Sequence, residues 1–194
     1  MDENEDLNLF VQWRHAAPNR WKFCPLCQAP LTNHDWDGKS RRFCLQCGFV
    51  YWERPLPATA GIIYDAAQQN ILLVTRRYPP SVGGYTLPGG GIEFGESVQG
   101  ALQREILEET GLQVVIDGQL GTWSTPSNET LITFFLTHPV GGNLKPGTDA
   151  MEVTWVNVSQ APKLAFSVHQ KVVELFRAQL ALDQLEQDWK RPPH

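Results

Sequence analysis

An α+β fold is predicted for this chain: a mixed sheet sandwiched between helices and preceded by a small four-cysteine module. Three observations carry that prediction. Two Cys-x-x-Cys pairs sit in a compositional island near the N-terminus. Short β-rich apolar runs, Ala60 to Tyr64 and Ile71 to Thr75 among them, come before and after one central helical segment. A second helical periodicity closes the chain, with Val168, Val172, Leu175, Phe176, Gln179 and Leu180 at helical spacing after Phe166-Ser167.

The chain has 194 residues, 42% of them hydrophobic, and a net charge of −5. That length fits one large or two modest domains. The acidic balance argues against general adhesion to nucleic acid or membranes. No run approaches the roughly 18 apolar residues of a membrane span. The acidic start MDENEDLNLF lacks the basic and apolar regions of a signal peptide, so the expected compartment is the cytoplasm. The expected organisation is a lead-in over 1–20, the cysteine module over 21–54, a larger domain over 58–182 and a tail over 183–194.

In the first module, Cys24-Pro25-Leu26-Cys27 and Cys44-Leu45-Gln46-Cys47 are separated by 16 residues. Four thiolates at this spacing form a closed tetrahedral Zn²⁺ site, each pair contributing a knuckle. Two disulfides are the competing reading, disfavoured in a cytosolic chain. A closed four-sulfur site has no open position for chemistry, so the zinc is structural. His34 lies between the pairs as a surface residue. From Arg20 to Arg54, six basic residues stand against three acidic ones, interleaved with Phe23, Phe43, Phe49, Tyr51 and Trp52. The expectation is that these aromatics pack the module's own miniature core. The alternative is a surface that stacks bases.

Glu53-Arg54-Pro55-Leu56-Pro57 reads as a stiff linker. After the runs 60–64 and 71–75, Tyr85-Thr86-Leu87 forms a short strand that enters the glycine loop Pro88-Gly89-Gly90-Gly91. The central helix is predicted over Val98 to Thr110, with Ser97 as N-cap and Gly111 as its stop. Segments 113–117, 120–124, 131–137 and 153–157 are further strands, punctuated by Pro126 and Gly141-Gly142.

The central helix carries the chemistry. At 100° per residue, Glu105 and Glu109 lie about 40° apart, and Glu108 about 60° to the other side of Glu105. Val98, Leu102 and Ile106 occupy the adjoining arc, so the carboxylates border the buried side. Two carboxylates a few ångströms apart repel by roughly 3–4 kcal/mol at an effective dielectric of 20. A divalent cation relieves that repulsion, and hard oxygen ligands favour Mg²⁺, with Mn²⁺ as the alternative ion. Arg104 precedes Glu108 by four residues and can brace it.

Gly90, Glu96, Arg104-Glu105-Ile106, Glu108-Glu109 and Gly111-Leu112 fill every fixed position of the pattern G-x5-E-x7-R-E-U-x-E-E-x-G-U, U being a bulky aliphatic. The segment therefore resembles the signature of the Nudix hydrolase superfamily, and the resemblance extends over about residues 58 to 180. It implies an α/β/α sandwich and Mg²⁺-dependent hydrolysis of a pyrophosphate bond. It also implies a nucleotide substrate and a homodimer. By motif position, Glu105, Glu108 and Glu109 are implied metal ligands, helped by the Gly90 carbonyl. Glu96 supports the loop or adds an outer ligand.

Glu109, Glu152 and Glu129 are the candidates for general base, Glu152 being placed on a loop before the strand at Val153. Arg104 and Glu108 complete the catalytic set. Arg76, Arg77, Tyr85 and Trp123 are candidates for binding substrate, with Phe135 and Trp155 as further stacking residues. A four-cysteine ribbon ahead of this domain resembles the NADH pyrophosphatases. Those carry an S-Q-P-W-P-F-P-x-S array, however, where this chain reads LGTWSTPSN from Leu120. The layout resembles more closely the ribbon-bearing FAD and ADP-ribose pyrophosphatases, which Leu164-Ala165-Phe166-Ser167 also suggests. The competing class is a nucleotide-sensing or RNA-binding protein on the same fold, including one that removes nucleotide caps from RNA.

Overall fold

A computed structural model describes residues 21–190 apart from 66, 68 and 128, with the backbone alone for 187–190. The expected lead-in over 1–20 lies outside the described residues, as do the last four of the tail. The chain separates into two compact units at Arg54/Pro55.

The first unit is a three-stranded antiparallel sheet, β1 (Thr32–Trp36), β2 (Lys39–Phe43) and β3 (Val50–Tyr51), in that order. Its knuckles repeat one hydrogen-bond pattern. Cys24 N–H donates to Ala29 O and Gln28 N–H to Cys24 O; Cys44 N–H donates to Phe49 O and Gly48 N–H to Cys44 O. The fourth residue after the first cysteine of each pair, Gln28 or Gly48, takes a left-handed backbone. The buried residues here are Cys24, Leu31 and Cys44, with Cys27, Ala29 and Phe49 packed against them. Of the aromatics expected to fill this core, Phe49 does so. Phe23 and Trp52 are exposed, because a core built on sulfur has no room for them.

The second unit contains β4 (Leu56–Ile63), β5 (Asn70–Arg76), β6 (Tyr85–Thr86), β7 (Gly89–Gly91), α1 (Val98–Thr110), β8 (Leu112–Ser124), β9 (Thr130–Gly142), β10 (Ala150–Asn157) and α2 (Ser167–Lys190). One sheet runs β7-β4-β9-β8 and the other β10-β5-β6; β4 pairs with β9 in parallel, and every other pairing is antiparallel. The central strands are apolar on both faces, as strands covered on both sides must be. Ile63, Leu72 and Phe135 face α1 and meet Leu102 and Ile106. Their neighbours Ile62, Leu73 and Phe134 face the other way and meet Val168, Val172, Val173 and Phe176 of α2. This is the predicted sandwich. Each fully buried side chain of this size contributes about 1.5–3 kcal/mol.

Three expectations are corrected. Segments 113–117 and 120–124 form one strand, since pairing with β9 continues through register irregularities near Gly118 and Gly121 that absorb the extra residues. The glycine loop itself pairs as β7, with Gly90 opposite Thr59. The closing helix runs on to Lys190, past the predicted boundary at 182, and leaves Leu175 51% exposed while Val173 takes its place in the core.

Candidate active site

The site is assembled where the glycine strand β7 crosses the buried side of α1. Ser97 caps the helix, its hydroxyl accepting from Gly100 N–H at 3.0 Å, and Gly111 ends it with φ 71°. Leu102 and Ile106 are fully buried, which anchors the helix face. The three glutamates therefore stand at the margin of the core. A side chain at Gly90 would occupy the space of the Glu105 carboxylate and force it to move, so glycine here leaves that carboxylate its position.

Arg104 organises the carboxylates. Its Nε and Nη2 grip Glu96 Oε1 and Oε2 at 2.7 and 3.0 Å, its Nη1 reaches Glu105 Oε1 at 2.8 Å and Glu108 Oε2 at 3.2 Å, and Nη2 also donates to Gly91 O at 3.1 Å. The expected brace to Glu108 is present, but the bidentate partner is Glu96. Arg104 holds the Glu96 carboxyl down to about 2, and Glu96 in turn raises the guanidinium above its ordinary value.

Burial raises the pKa of Glu105 and pushes Glu109 up to about 8. The negative charges of Glu105 and Asp149 push Glu109 in the same direction. Gly89 N–H, which donates to Glu109 Oε2 at 2.9 Å, and the positive charge of Arg76 oppose them. Glu108 is the exposed member, its side chain 59% accessible. A half-buried glutamate with two acidic neighbours is what a divalent cation would stabilise, so the residues present fit such an ion.

Asp149 is the acid that the sequence reading passed over. Its segment is fastened to the end of α1: Asn143, Lys145 and Gly147 N–H donate to Gly111, Thr110 and Glu109 carbonyls at 3.1, 3.0 and 3.0 Å. A Cβ on Gly147 would lie 1.8 Å from Glu108 O, so only glycine fits there. The available signal was the Pro146-Gly147 turn just before a strand. Glu152, expected on a loop, lies inside β10 opposite Thr75 and is exposed. Glu129 is exposed on the turn before β9.

The two arginines separate. Arg76 lies over Phe166 at 5.0 Å, donates through Nε to Pro80 O at 2.8 Å, and feels the charges of Glu109 and Asp149. Burial lowers its pKa. Arg76 Nη2 also reaches Tyr78 O and Pro79 O at 3.3 and 3.5 Å, while Arg77 donates through Nη2 to Ala150 O at 2.8 Å. Tyr85 pairs with Thr75, and its carbonyl accepts from Ala165 N–H. Trp123 meets Phe134 edge-on at 5.6 Å. Tyr85 and Trp123 both pack on the core beneath α2, while Phe135 and Trp155 belong to the core beneath α1. Beside Arg76 sits a further group missed in the sequence. His169 is buried, its Nδ1 2.9 Å from Thr86 Oγ1, and burial with the Arg76 charge holds its pKa down to about 4.

In the ribbon, the four cysteines are free and their sulfurs all lie within 4.8 Å of one another, with Cys24–Cys47 at 3.5 Å and Cys27–Cys44 at 3.4 Å. Tetrahedral bonds of about 2.3 Å to zinc set sulfurs roughly 3.8 Å apart, so the cluster fits a zinc ribbon.

A glutamate-bearing helix packed on a glycine strand within a two-sided sandwich defines a hydrolase of the Nudix class. The chain belongs to that family: the model of the NUDIX domain matches residues 54–176. An ADP-ribose pyrophosphatase of Methanocaldococcus jannaschii is 39% identical over 124 residues, covering 62% of this chain and 72% of that protein. An NAD-capped RNA hydrolase of Vibrio atlanticus is 28% identical over 158 residues, covering 80% of this chain but only 56% of its own length. A Nudix hydrolase from Nitrosomonas europaea has the same fold, with TM-score 0.73 and 25% identity over 79% of this chain and 88% of that one. Nudix enzymes work with divalent cations and act on nucleotides. Among the described residues no helix is long and apolar enough to cross a membrane.

Proposed function

We propose that this chain hydrolyses the pyrophosphate bond of a nucleoside diphosphate joined to a second group, with ADP-ribose the first choice within a class that includes FAD and NADH. The products are a nucleoside monophosphate and a second phosphorylated compound. The observation that carries the reading is the cluster of Glu105, Glu108 and Glu109 around the Arg104 brace, with Asp149 alongside. The relative from Methanocaldococcus supports the substrate class.

Glu105, Glu108 and Glu109, with the Gly90 carbonyl, would hold Mg²⁺ or Mn²⁺. That ion supplies charge neutralisation for the phosphate oxygens and acidifies water. The chain's own residues do the rest. Glu109 is assigned to accept the proton of the attacking water; burial beside Glu105 and Asp149 raises its proton affinity above that of a free carboxylate, and a bound cation would draw it back down to the ionised form a base needs. Arg104 positions the carboxylates by tying the loop at Glu96 to the helix at Glu105. Arg76, the arginine facing the cluster, is assigned to a substrate phosphate. In the ribbon, Cys24, Cys27, Cys44 and Cys47 would hold Zn²⁺ as a structural ion, in keeping with a reducing cytoplasm.

The test is a panel of ADP-ribose, FAD, NADH, dinucleoside polyphosphates and nucleoside triphosphates with Mg²⁺ or Mn²⁺, read as phosphate after phosphatase treatment. ADP-ribose turnover that vanishes in Glu109→Gln carries the proposal; activity on triphosphates alone overturns the substrate class. A second reading, cleavage of the same bond at the end of nucleotide-capped RNA, is favoured by the relatives named NAD-capped RNA hydrolases. An NAD-capped oligonucleotide in the same panel tests it.

A further inference from the structure

The ribbon carries a surface that the hydrolase chemistry does not use. Asp37 and Gly38 both take positive φ, 53° and 72°, which is the paired left-handed geometry of a two-residue hairpin turn. That turn fixes the register: Trp36 faces Lys39, His34 faces Arg41 and Thr32 faces Phe43. Because side chains alternate across a strand, this register sorts the hairpin into two unlike faces. One bears Asn33, Asp35, Ser40 and Arg42. There Arg42 acts as a structural brace, bound to Trp21 O, Leu31 O and Asn33 Oδ1.

The other face gathers His34, Trp36, Lys39, Arg41 and Phe43, joined by Trp52 at the end of β3. Its rings form one connected array: His34–Phe43 at 5.2 Å, His34–Trp36 at 6.0 Å and Trp36–Trp52 at 6.3 Å. The Arg41 guanidinium lies over the Trp52 ring at 4.4 Å. Its Nε is buried and has no hydrogen-bond partner among the described residues. Trp36 and Trp52 remain 40% and 43% exposed, although burying either ring would be favourable. The face carries two cations and no carboxylate in a chain of net charge −5.

We propose that this face binds single-stranded nucleic acid, unpaired bases stacking on Trp36 and Trp52 and phosphates seating on Lys39 and Arg41. Flat aromatic area answers any base, and the cations answer the backbone, so the surface favours strandedness over sequence. The inference is independent of which nucleotide the second unit cleaves.

The experiment is fluorescence anisotropy of an uncapped, dye-labelled 12-nucleotide oligonucleotide with the full zinc-loaded chain, against its duplex as competitor. Stacking is expected to make Trp36→Ala weaken binding about tenfold. Two phosphate contacts are expected to give a slope of log K on log salt of about −1.4, and Lys39→Glu is expected to reduce it. Lys39 is exposed next to the turn, so this variant keeps the fold, and retained zinc shows that it does. Hydrolysis of ADP-ribose should not change in either variant. Duplex binding as tight as single strand, or affinity indifferent to both substitutions, overturns the proposal. So does loss of self-association in Trp36→Ala without any oligonucleotide binding, which would make the face a dimer contact.

Discussion

The two units place their carboxylate and thiol clusters in opposite ways. In the ribbon, Cys24 and Cys44 are themselves most of the core, with Leu31 as the third buried residue. In the second unit, Leu102 and Ile106 close the core under α1, and Glu105, Glu108 and Glu109 ride on its margin. On the proposed metal assignments the first unit would depend on its ion to fold, while the second would fold first and be armed afterwards.

The sharpest way to break that contrast is Cys44→Ser. The expected outcome is loss of metal and of amide protection across β1–β3, removing apparent binding energy on the order of 10 kcal/mol, while protection in β4, β5 and β9 persists. Ribbon amides that stay protected without metal would dissolve the distinction. Next is Glu109→Gln, expected to lower kcat by about 10²–10⁴ with the second unit still folded. A variant that unfolds instead would put Glu109 inside the core's cooperativity.

Gly147→Ala sharpens the contrast from within the second unit. Its new methyl must displace the Glu108 carbonyl, so a loss of about 1–3 kcal/mol in denaturant unfolding is expected, together with weaker Mg²⁺ dependence as Asp149 moves. Equal stability and equal metal response would separate that loop from the site.

The smallest effects concern pH. Glu109 is raised in the folded chain, so its contribution to stability is complete below the usual 4.5 and is lost as pH rises through about 8. The metal-free chain should melt earlier across that range, with Mg²⁺ restoring it and Glu109→Gln flattening the trend. His169 is depressed, so its contribution is complete above the usual 6.5 and is lost as pH falls through about 4. His169→Gln should flatten the acid side of the melting profile and leave the alkaline side alone.

What could be read without coordinates was local. The helix Val98–Thr110, its Ser97 cap and its Gly111 stop follow from periodicity and end chemistry, and the structure places them at the same residues. The two cysteine knuckles were legible for the same reason, since ligand spacing is set within each turn. Tertiary choices were not. Continuity of β8 through Asp117-Gly118 depends on its partner β9 accommodating irregular register, which no local signal states. Which acid of the 149–152 stretch faces the cluster depends on where Gly147 is pinned to α1, a contact that no local sequence signal states. Arg76 and Arg77 are adjacent and chemically identical; tertiary contacts separate them, setting Arg76 over Phe166 with donors on the 78–80 carbonyls and sending Arg77 to Ala150 O. The ribbon's exposed aromatics were misread as core because sulfur, not carbon, fills its interior.

Arg104 has one last consequence. A guanidinium owns five N–H donors. Glu96 takes two, and Glu105, Glu108 and the Gly91 carbonyl take one each. The group is saturated, with nothing left to offer an incoming anion. Recognition of the phosphate must fall to another cation, and a lysine at 104, with three donors on a point charge, would leave the loop untied before any ligand arrived.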